Sequence, residues 1–435
     1  MPPVSVIEEN AVSAEHSIDP DSISSSAVAV TRALQDAGFD AWLVGGCVRD
    51  LLLGLSPKDY DVATDATPVE IRAIFRRSRI IGRRFQIVHV RMGRELIEVT
   101  TYRKPPNSGS SSSRSDNGRI LDDNEWGDLH SDCLRRDFTV NALYYDPGSD
   151  EGYDQVDGLV DLEDRIIRMI GNPKVRFSED PVRILRAIRF MAKLGFTLEE
   201  QTDIALIASK HLLTGVPAAR LYDEVLKLFH HGNGETTGQL MSQYGVFPLL
   251  FPMLADDLDK PFELPELICN GLRNTDLRIR ANKPVIPAFL FAVCLWQPTK
   301  SKIEQLCAEG CPVIPAIHQA AESVFAHVCE TVAIPRRVWS IVQEIWELEY
   351  RLRDRRPKFI GKILENRRFR AAYDFLELRS RSGEAGADAE LVKWWETIQN
   401  VDEAEKQKMI ESLRGQSSRK PGGNRRRRRP KNHVE

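Results

Sequence analysis

The sequence predicts an α+β head followed by an all-α remainder, and three observations carry that prediction. Up to about residue 150, short apolar runs of strand length alternate with amphipathic stretches of helix length. Past Gly171-Asn172-Pro173 the apolar residues fall at helical spacing, as at Val182, Leu185, Ile188 and Met191. Within the mixed region a Gly45-Gly46 strand-to-helix turn is followed by the paired acids of Asp59-Tyr60-Asp61, which places the chemistry in the head.

Taken in order, residues 1–26 are rich in Glu, Asp and Ser without a basic apolar pattern; a disordered leader is expected, not a secretory or transit signal. Ser26 to Ala37 reads as a helix, Gly38 as a turn and Ala41 to Val44 as a strand, with a second helix from Cys47 to Leu53. Thr67-Pro68 is a good helix start and opens an amphipathic stretch from Val69 to Arg77. Two strands follow, Phe85 to Met92 and Leu96 to Tyr102, joined at Gly93. Residues 104–127 carry Ser, Asn, Gly and Asp with almost no apolar content, a surface loop that interrupts the module. Phe138 to Tyr145 resumes a strand-like alternation. Helices then dominate from Asp180, restart after Pro217 and continue through the 300s, the last spanning Asp402 to Leu413.

Composition excludes several classes. A chain of 435 residues has room for two or three domains, and no run approaches a membrane span. Seven cysteines, an odd number without framework spacing, point to reduced thiols and a cytosolic compartment. Cys307 and Cys311 form the one close pair; without a second pair or a nearby histidine they read as helix-face cysteines, not a zinc site. The net charge of −3 hides an uneven distribution, since residues 414–435 hold Arg425, Arg426, Arg427, Arg428 and Arg429 among Pro, Gly and Ser. Such a tail is expected to be disordered and to attract RNA or another polyanion, a solvated solubility tail being the alternative.

A D-x-D at the end of an extended run sets both carboxylates on one strand face and Tyr60 on the other. Two acids so placed repel unless cations sit between them, and hard divalent ions such as Mg²⁺ are commonly held by one or two carboxylates plus substrate phosphates. Phosphoryl or nucleotidyl transfer is therefore the leading chemistry. Gly45-Gly46 leads from strand into helix start, where free N–H groups favour phosphate; alone, a tight β–α turn explains it. Glu98 alternates with Ile97 and Val99, and supplies a third carboxylate if its strand lies beside Asp61; otherwise it is an exposed strand glutamate.

Five motifs in order extend this reading: Gly45-Gly46-x-Val48-Arg49-Asp50; Asp59-x-Asp61; Arg135-Arg136-Asp137-Phe138-Thr139-x-Asn141-Ala142; Asp154-x3-Gly158-x2-Asp161-Leu162; and Glu179-Asp180-x2-Arg183. Together, from about Ala41 to Phe251, they resemble the class II nucleotidyltransferases, the family of CCA-adding enzymes and bacterial poly(A) polymerases. The segment Ile80 to Val90, the polar insertion and the arginine-rich C-terminus are similar to the poly(A) polymerase branch. The resemblance implies a polymerase-beta-like nucleotidyltransferase head at 27–150 and helical neck and body domains at 151–235 and 236–413, both binding RNA and the neck also nucleotide. A disordered basic tail follows at 414–435. It implies template-independent addition of AMP from ATP to RNA 3′-hydroxyl ends with release of pyrophosphate, and RNA-decay or RNA-chaperone proteins as partners. A CCA-adding enzyme, or an RNA-binding relative without catalysis, is the alternative.

Carried over by residue, the resemblance gives Asp59, Asp61 and Glu98 as ligands of two Mg²⁺ ions. Arg49 meets the triphosphate, and Arg135, Arg136, Asp137 and Asn141 form a ribose and phosphate wall; a surface salt-bridge cluster is the bland reading of these. Asp180 and Arg183 meet the base edge, although Asp180, preceding Pro181, can also be a helix cap. A base contact of this kind separates A and C from G and U but not A from C. Arg220 and Glu224 resemble a further family motif that braces the neck. Arg186 and Arg189 line the nucleotide pocket or face solvent. Arg83 and Arg84 are RNA-binding in this reading, or else an exposed basic turn.

Overall fold

The computed structural model describes residues 12–13, 18–82, 86–104, 126–255, 260–384 and 387–417. The polar loop, Arg83, Arg84 and Arg425 to Arg429 fall wholly or largely outside them, while the described part of the expected disordered leader is ordered, with Val12–Ser13 a strand, Pro20–Ser22 a 3-10 turn and Ile18 and Ile23 buried. The chain divides into two compact units, Met1–Leu228 with Gln239–Leu250, and Phe229–Gly238 with Phe251–Glu435.

The first unit is organised by one mixed sheet. Its strands are β1 (Val12–Ser13), β2 (Ala41–Val44), β3 (Asp61–Thr64), β4 (Ser78–Ile81), β5 (Ile87–Met92), β6 (Glu95–Thr101), β7 (Tyr144–Asp146) and β8 (Glu151–Asp154). They lie in the order β1-β8-β7-β2-β3-β6-β5-β4. Among the described residues of this sheet only β3 and β6 run parallel, with Asp61 opposite Glu98 and Val62 opposite Val99. The helices of this unit begin with α1 (Ser25–Asp36), α2 (Gly46–Leu52), α3 (Pro68–Ile74) and α4 (Leu129–Arg135). They continue with α5 (Gly158–Glu163), α6 (Pro173–Glu179), α7 (Val182–Leu194), α8 (Glu200–Ser209) and α9 (Ala218–Phe229).

Local chemistry sets these boundaries. Ser24 caps α1 through the Ser26 and Ala27 amides, and Thr67 with Glu70 forms a capping box on α3, with Pro68 at its first position. The α3 helix stops at Ile74 and not near Arg77, because the chain turns there into β4, a short edge strand paired with β5. Phe138 to Tyr145 is not one strand. Thr139–Asn141 form a 3-10 turn, and strand resumes at Tyr144. Its alternation misleads because Thr139 and Asn141 are buried as deeply as their apolar neighbours, each held by polar partners.

The second unit is helical, running from Glu266–Arg280 to Glu403–Ser417. Its core holds Trp296, Trp339, Trp346 and Phe375, with the Trp339 and Trp346 rings edge to face at 5.5 Å. A buried Arg379 spans it, donating to Glu349 at 2.7 Å and Glu384 at 3.2 Å. All seven cysteines are free thiols. Cys307 sits in the helix Trp296–Ala308, while Cys311 lies past its end and not on a helix face. Among the described residues no helix is long and apolar enough to cross a membrane.

Candidate active site

The site gathers where β2, β3 and β6 meet α2, α7 and the turn at 137–142. Strand β2 ends at Val44, and Gly45 redirects the chain with φ +79°, a conformation that costs an L side chain dearly. A Cβ on Gly45 would lie 3.4 Å from Arg136 Nη1, and one on Gly46 would lie 3.6 Å from Arg49 Nη2. Both are ordinary contact distances, so it is the left-handed backbone at Gly45, and not lack of space, that calls for glycine there.

Arg49 is almost wholly buried. Its Nε and Nη2 donate to Asp50 Oδ1 at 3.0 and 2.6 Å, and its Nη1 donates to Asn141 Oδ1. Asn141 Nδ2 in turn donates to Asp137 Oδ1 at 3.2 Å, and Arg186 Nε donates to Asp137 Oδ2 at 2.6 Å. Lys193 closes the other end on Asp50 Oδ2 at 2.8 Å. A continuous chain of ion pairs and hydrogen bonds therefore runs Lys193, Asp50, Arg49, Asn141, Asp137, Arg186, with the neutral Asn141 amide joining its two charged halves. Burial works against the Asp137 carboxylate, yet the Arg186 guanidinium and the bonds from Asn141 and the Phe138 amide hold it near 2.

Arg136 and Arg135 close the α4 side. Arg136 donates to the Tyr144 hydroxyl at 2.9 Å and to Asp132 at 3.0 Å, and its guanidinium lies 5.1 Å from the Tyr144 ring centre. The carbonyls of Arg135 and Arg136 accept from Arg176 at 2.5 and 2.7 Å. Arg176 also meets Glu179 at 3.0 Å, where Arg183 Nη1 approaches to 3.4 Å while donating to the Arg176 carbonyl. Asp180 is not the N-cap of α7, since Pro181 takes that position without a side-chain cap; Asp180 still accepts from the Val182 amide at 3.3 Å. Its other oxygen accepts from Arg220 at 2.8 Å, so Arg220 reaches the candidate base-reading residue directly. Glu224 instead pairs with Lys227.

The acids form the opposite wall. Asp61 opens β3, so the D-x-D stands at the start of the strand and not at its end; Asp59 lies in the exposed bend before it. Strand alternation governs Asp61 alone, while Tyr60 is buried with its hydroxyl donating to the Ser22 carbonyl at 3.3 Å. Burial, then the Glu98 charge, and Asp59 against a counteracting Arg136, push the Asp61 carboxyl up to about 6. Glu98 also faces His89 on β5, with Nε2 at 3.2 Å from Oε1 but outside hydrogen-bond geometry. Among the described residues no three His, Cys, Asp or Glu side chains converge as a ready metal cage.

The Asp154-x3-Gly158-x2-Asp161 motif proves to be scaffolding. Asp154 accepts from the amides of Val156, Gly158 and Leu159, at 2.8 to 3.1 Å, and fixes the start of α5. A Cβ on Gly158 would come within 2.5 Å of the Thr139 carbonyl, and Asp161 accepts from Thr139 Oγ1 at 2.6 Å. These contacts hold the turn that carries Asp137 and Asn141. Sequence reading passed over Asp50, Arg176 and Lys193. Asp50 stood inside the first motif, but nothing local marks a lysine more than a hundred residues away as its partner.

A mixed sheet that sets acids on adjacent parallel strands, beside a glycine turn and a wall of arginines, is the layout of a nucleotidyltransferase. Residues 41–168 match the poly(A) polymerase head domain, residues 195–258 a probable RNA- and SrmB-binding site of polymerase A, and residues 309–433 the arginine-rich C-terminus of polymerase A. Poly(A) polymerase I of Escherichia coli O6:H1 is 41% identical over 429 residues, covering 97% of this chain and 91% of the relative. A CCA-adding enzyme of Lactobacillus johnsonii is 39% identical over 203 residues, 47% of this chain and 49% of its own. The crystal structure of the Bacillus stearothermophilus CCA-adding enzyme in complex with CTP shares the fold, with a TM-score of 0.52 and 24% identity over 90% of this chain and 82% of that one. The chain belongs to the poly(A) polymerase I family of the class II nucleotidyltransferases.

Proposed function

We propose that the chain adds AMP units from ATP, without a template, to RNA 3′-hydroxyl ends. The 3′-oxygen bonds to the α-phosphorus, the bond to the β-phosphate oxygen breaks, and pyrophosphate leaves. What carries the reading is the near-full-length identity to poly(A) polymerase I, joined to the placement of Asp61 opposite Glu98. The support for this branch over CCA addition is coverage, since the CCA-adding relative reaches less than half the chain.

Asp59, Asp61 and Glu98 are the residues that would hold two Mg²⁺ ions. Their donors are all hard oxygens, and burial first, then the Glu98 and Asp59 charges outweighing Arg136, raise the Asp61 carboxyl, a setting that a divalent cation would relieve. Bound there, Mg²⁺ would supply charge neutralisation at the triphosphate and a more acidic 3′-hydroxyl. Gly45 and Gly46 keep the approach open to the nucleotide. Arg49, Arg135, Arg136, Asp137 and Asn141 wall the ribose and phosphates, with Arg49 and Arg186 stiffening that wall through Asn141 and Asp137. Asp180 and Arg183, held by Arg220 and Glu179, face the base edge. In this reading 27–150 is catalytic, 151–235 binds nucleotide and RNA, and 236–413 binds RNA. Arg83, Arg84 and Arg425 to Arg429 add RNA contacts, RNA-decay or RNA-chaperone proteins are the partners, and the free thiols suit a cytosolic compartment.

The test is product length on a gel after incubation with Mg²⁺ and either ATP or CTP alone, on a generic 3′-hydroxyl RNA and on a tRNA lacking its CCA end. A growing ladder with ATP on the generic RNA is expected. Addition limited to CCA on the tRNA would overturn the reading.

A further inference from the structure

The helix Pro357–Leu364 of the second unit follows a basic run, and residues 351–362 hold six Arg or Lys against one acid, Asp354. Three of the six are neutralised locally: Arg351 by Glu347 at 2.5 Å, Arg353 by Glu349 at 3.6 Å and Arg356 by Asp354 at 2.5 Å. The other three, Arg355, Lys358 and Lys362, have no carboxylate within ion-pair distance among the described residues. Their spacing of three and then four puts Lys358 and Lys362 on one helical face, with Arg355 leading into it, a stripe extending about 10 Å along the axis. Like charges at that spacing repel, so the fold bears a cost that a polyanion would remove.

Aromatic rings are set among these cations. Phe359 has Arg356 at 4.6 Å and Lys358 at 4.8 Å from its ring centre, Trp394 has Arg355 at 5.5 Å, and Tyr350 has Arg353 at 5.5 Å. Tyr350, Phe359 and Lys362 line one open groove together with Glu344, Glu347, Asp354 and Glu365, and Arg355 and Lys358 stand outside its lining. Cations interleaved with ring faces, two of them, Arg355 and Lys358, without a carboxylate partner among the described residues, are the recognition chemistry of single-stranded nucleic acid, in which phosphates meet the charges and bases stack on the rings.

We infer that the exposed face of this helix and of the basic run before it is a binding track for single-stranded RNA, centred on Arg355, Lys358, Lys362 and Phe359. The inference rests on the reading of RNA as substrate and assigns part of its grip to side chains outside the candidate active site.

The test uses the full chain and a fluorescent 20-nucleotide single-stranded RNA, without ATP or Mg²⁺, titrated across a salt series. Replacing Arg355, Lys358 and Lys362 together by Gln should weaken binding about tenfold at 0.1 M salt and flatten the slope of log K against log salt by about 2. Phe359→Leu should weaken binding by about five- to tenfold with the salt slope unchanged. If the triple variant misfolds, as a thermal melt would show, Lys358→Gln alone still tests the stripe, with an expected slope change of about 0.7. Unchanged RNA affinity and slope in variants that melt like the parent would overturn the inference. So would loss of poly-glutamate binding with RNA binding intact, which would make this face a site for an acidic protein. A parent that binds RNA through these residues but adds no AMP would refute the proposed activity and leave this inference standing.

Discussion

Asp61 and Asp137 are both half-buried aspartates beside the same glycine turn, yet one carboxyl is pushed up to about 6 and the other held at about 2. Burial raises both, so the difference lies in what surrounds them. Asp61 looks at Glu98 and Asp59 with Arg136 as its counterweight, whereas Asp137 is clasped by Arg186, Asn141 and the Phe138 amide. A carboxylate left among other acids is where, under the proposed function, an external cation would complete the structure. One enclosed by arginine is already complete and serves to position its neighbours.

The sharpest way to break this comparison is to neutralise each acid in turn. Asp61→Asn should lower AMP incorporation by about 10³-fold or more, because metal-ion catalysis contributes several kcal/mol. It should also leave the metal-free protein more stable at pH 7, by on the order of 1 kcal/mol. The sign follows from the raised native pKa: the destabilising charge is fully present above about pH 6 and is relieved as pH falls towards the ordinary carboxylate range. A melt showing lower stability in the Asn variant would place Asp61 with the scaffold acids.

Asp137→Ala should act in the opposite sense. Removing one partner of a partly buried pair leaves Arg186 uncompensated and should cost about 3 kcal/mol, with a raised KM for ATP as the wall loosens. The depressed Asp137 pKa contributes stability that is fully present above the unfolded value of about 4 and is lost as pH falls through about 2. Chemical denaturation from pH 5 to pH 2 should therefore show a steeper decline in the parent than in Asp137→Asn. Equal slopes would mean that Arg186 does not hold this carboxylate in solution.

Much of this contrast was legible in the sequence, because the motifs name both acids. The pairing that gives Asp61 its neighbour was not, since β3 meets β6 across more than thirty intervening residues and only sheet order brings Glu98 opposite. Asp59 was misplaced on the strand because its carboxylate spacing matches a strand whose pairing in fact begins two residues later. The turn at Thr139–Asn141 read as strand because its polar residues are buried for their hydrogen bonds to Asp161, Asp137 and Arg49, partners that a local pattern does not contain. The helices fared better, since α1 and α7 bury faces written at local spacing, and α1 carries its own cap.

Between the two aspartates stands Gly45, and Gly45→Ala asks how rigid their frame is. Its φ of +79° strains an L residue, and relief of that strain would shift the backbone whose new Cβ stands in contact with Arg136 Nη1 at 3.4 Å. The expected cost is about 1 to 2 kcal/mol of stability, together with a fall in activity, because Arg136 is also the cation that restrains Asp61. Unaltered kinetics in a destabilised variant would show that the turn serves folding alone.

The smallest effect should come from Thr67→Ala, which removes the cap of α3. Thr67 Oγ1 accepts from the Glu70 amide at 3.4 Å while Glu70 reaches back to the Thr67 amide at 2.8 Å. Losing a cap of this type costs about 1 kcal/mol. This box touches neither Asp61 nor Asp137, so the loss should appear in the melt with kcat and KM for ATP unchanged. If activity fell with it, stability of the sheet's helical cover would itself tune the acid edge, and the division between a bare catalytic acid and a clasped structural one would no longer be a matter of immediate neighbours.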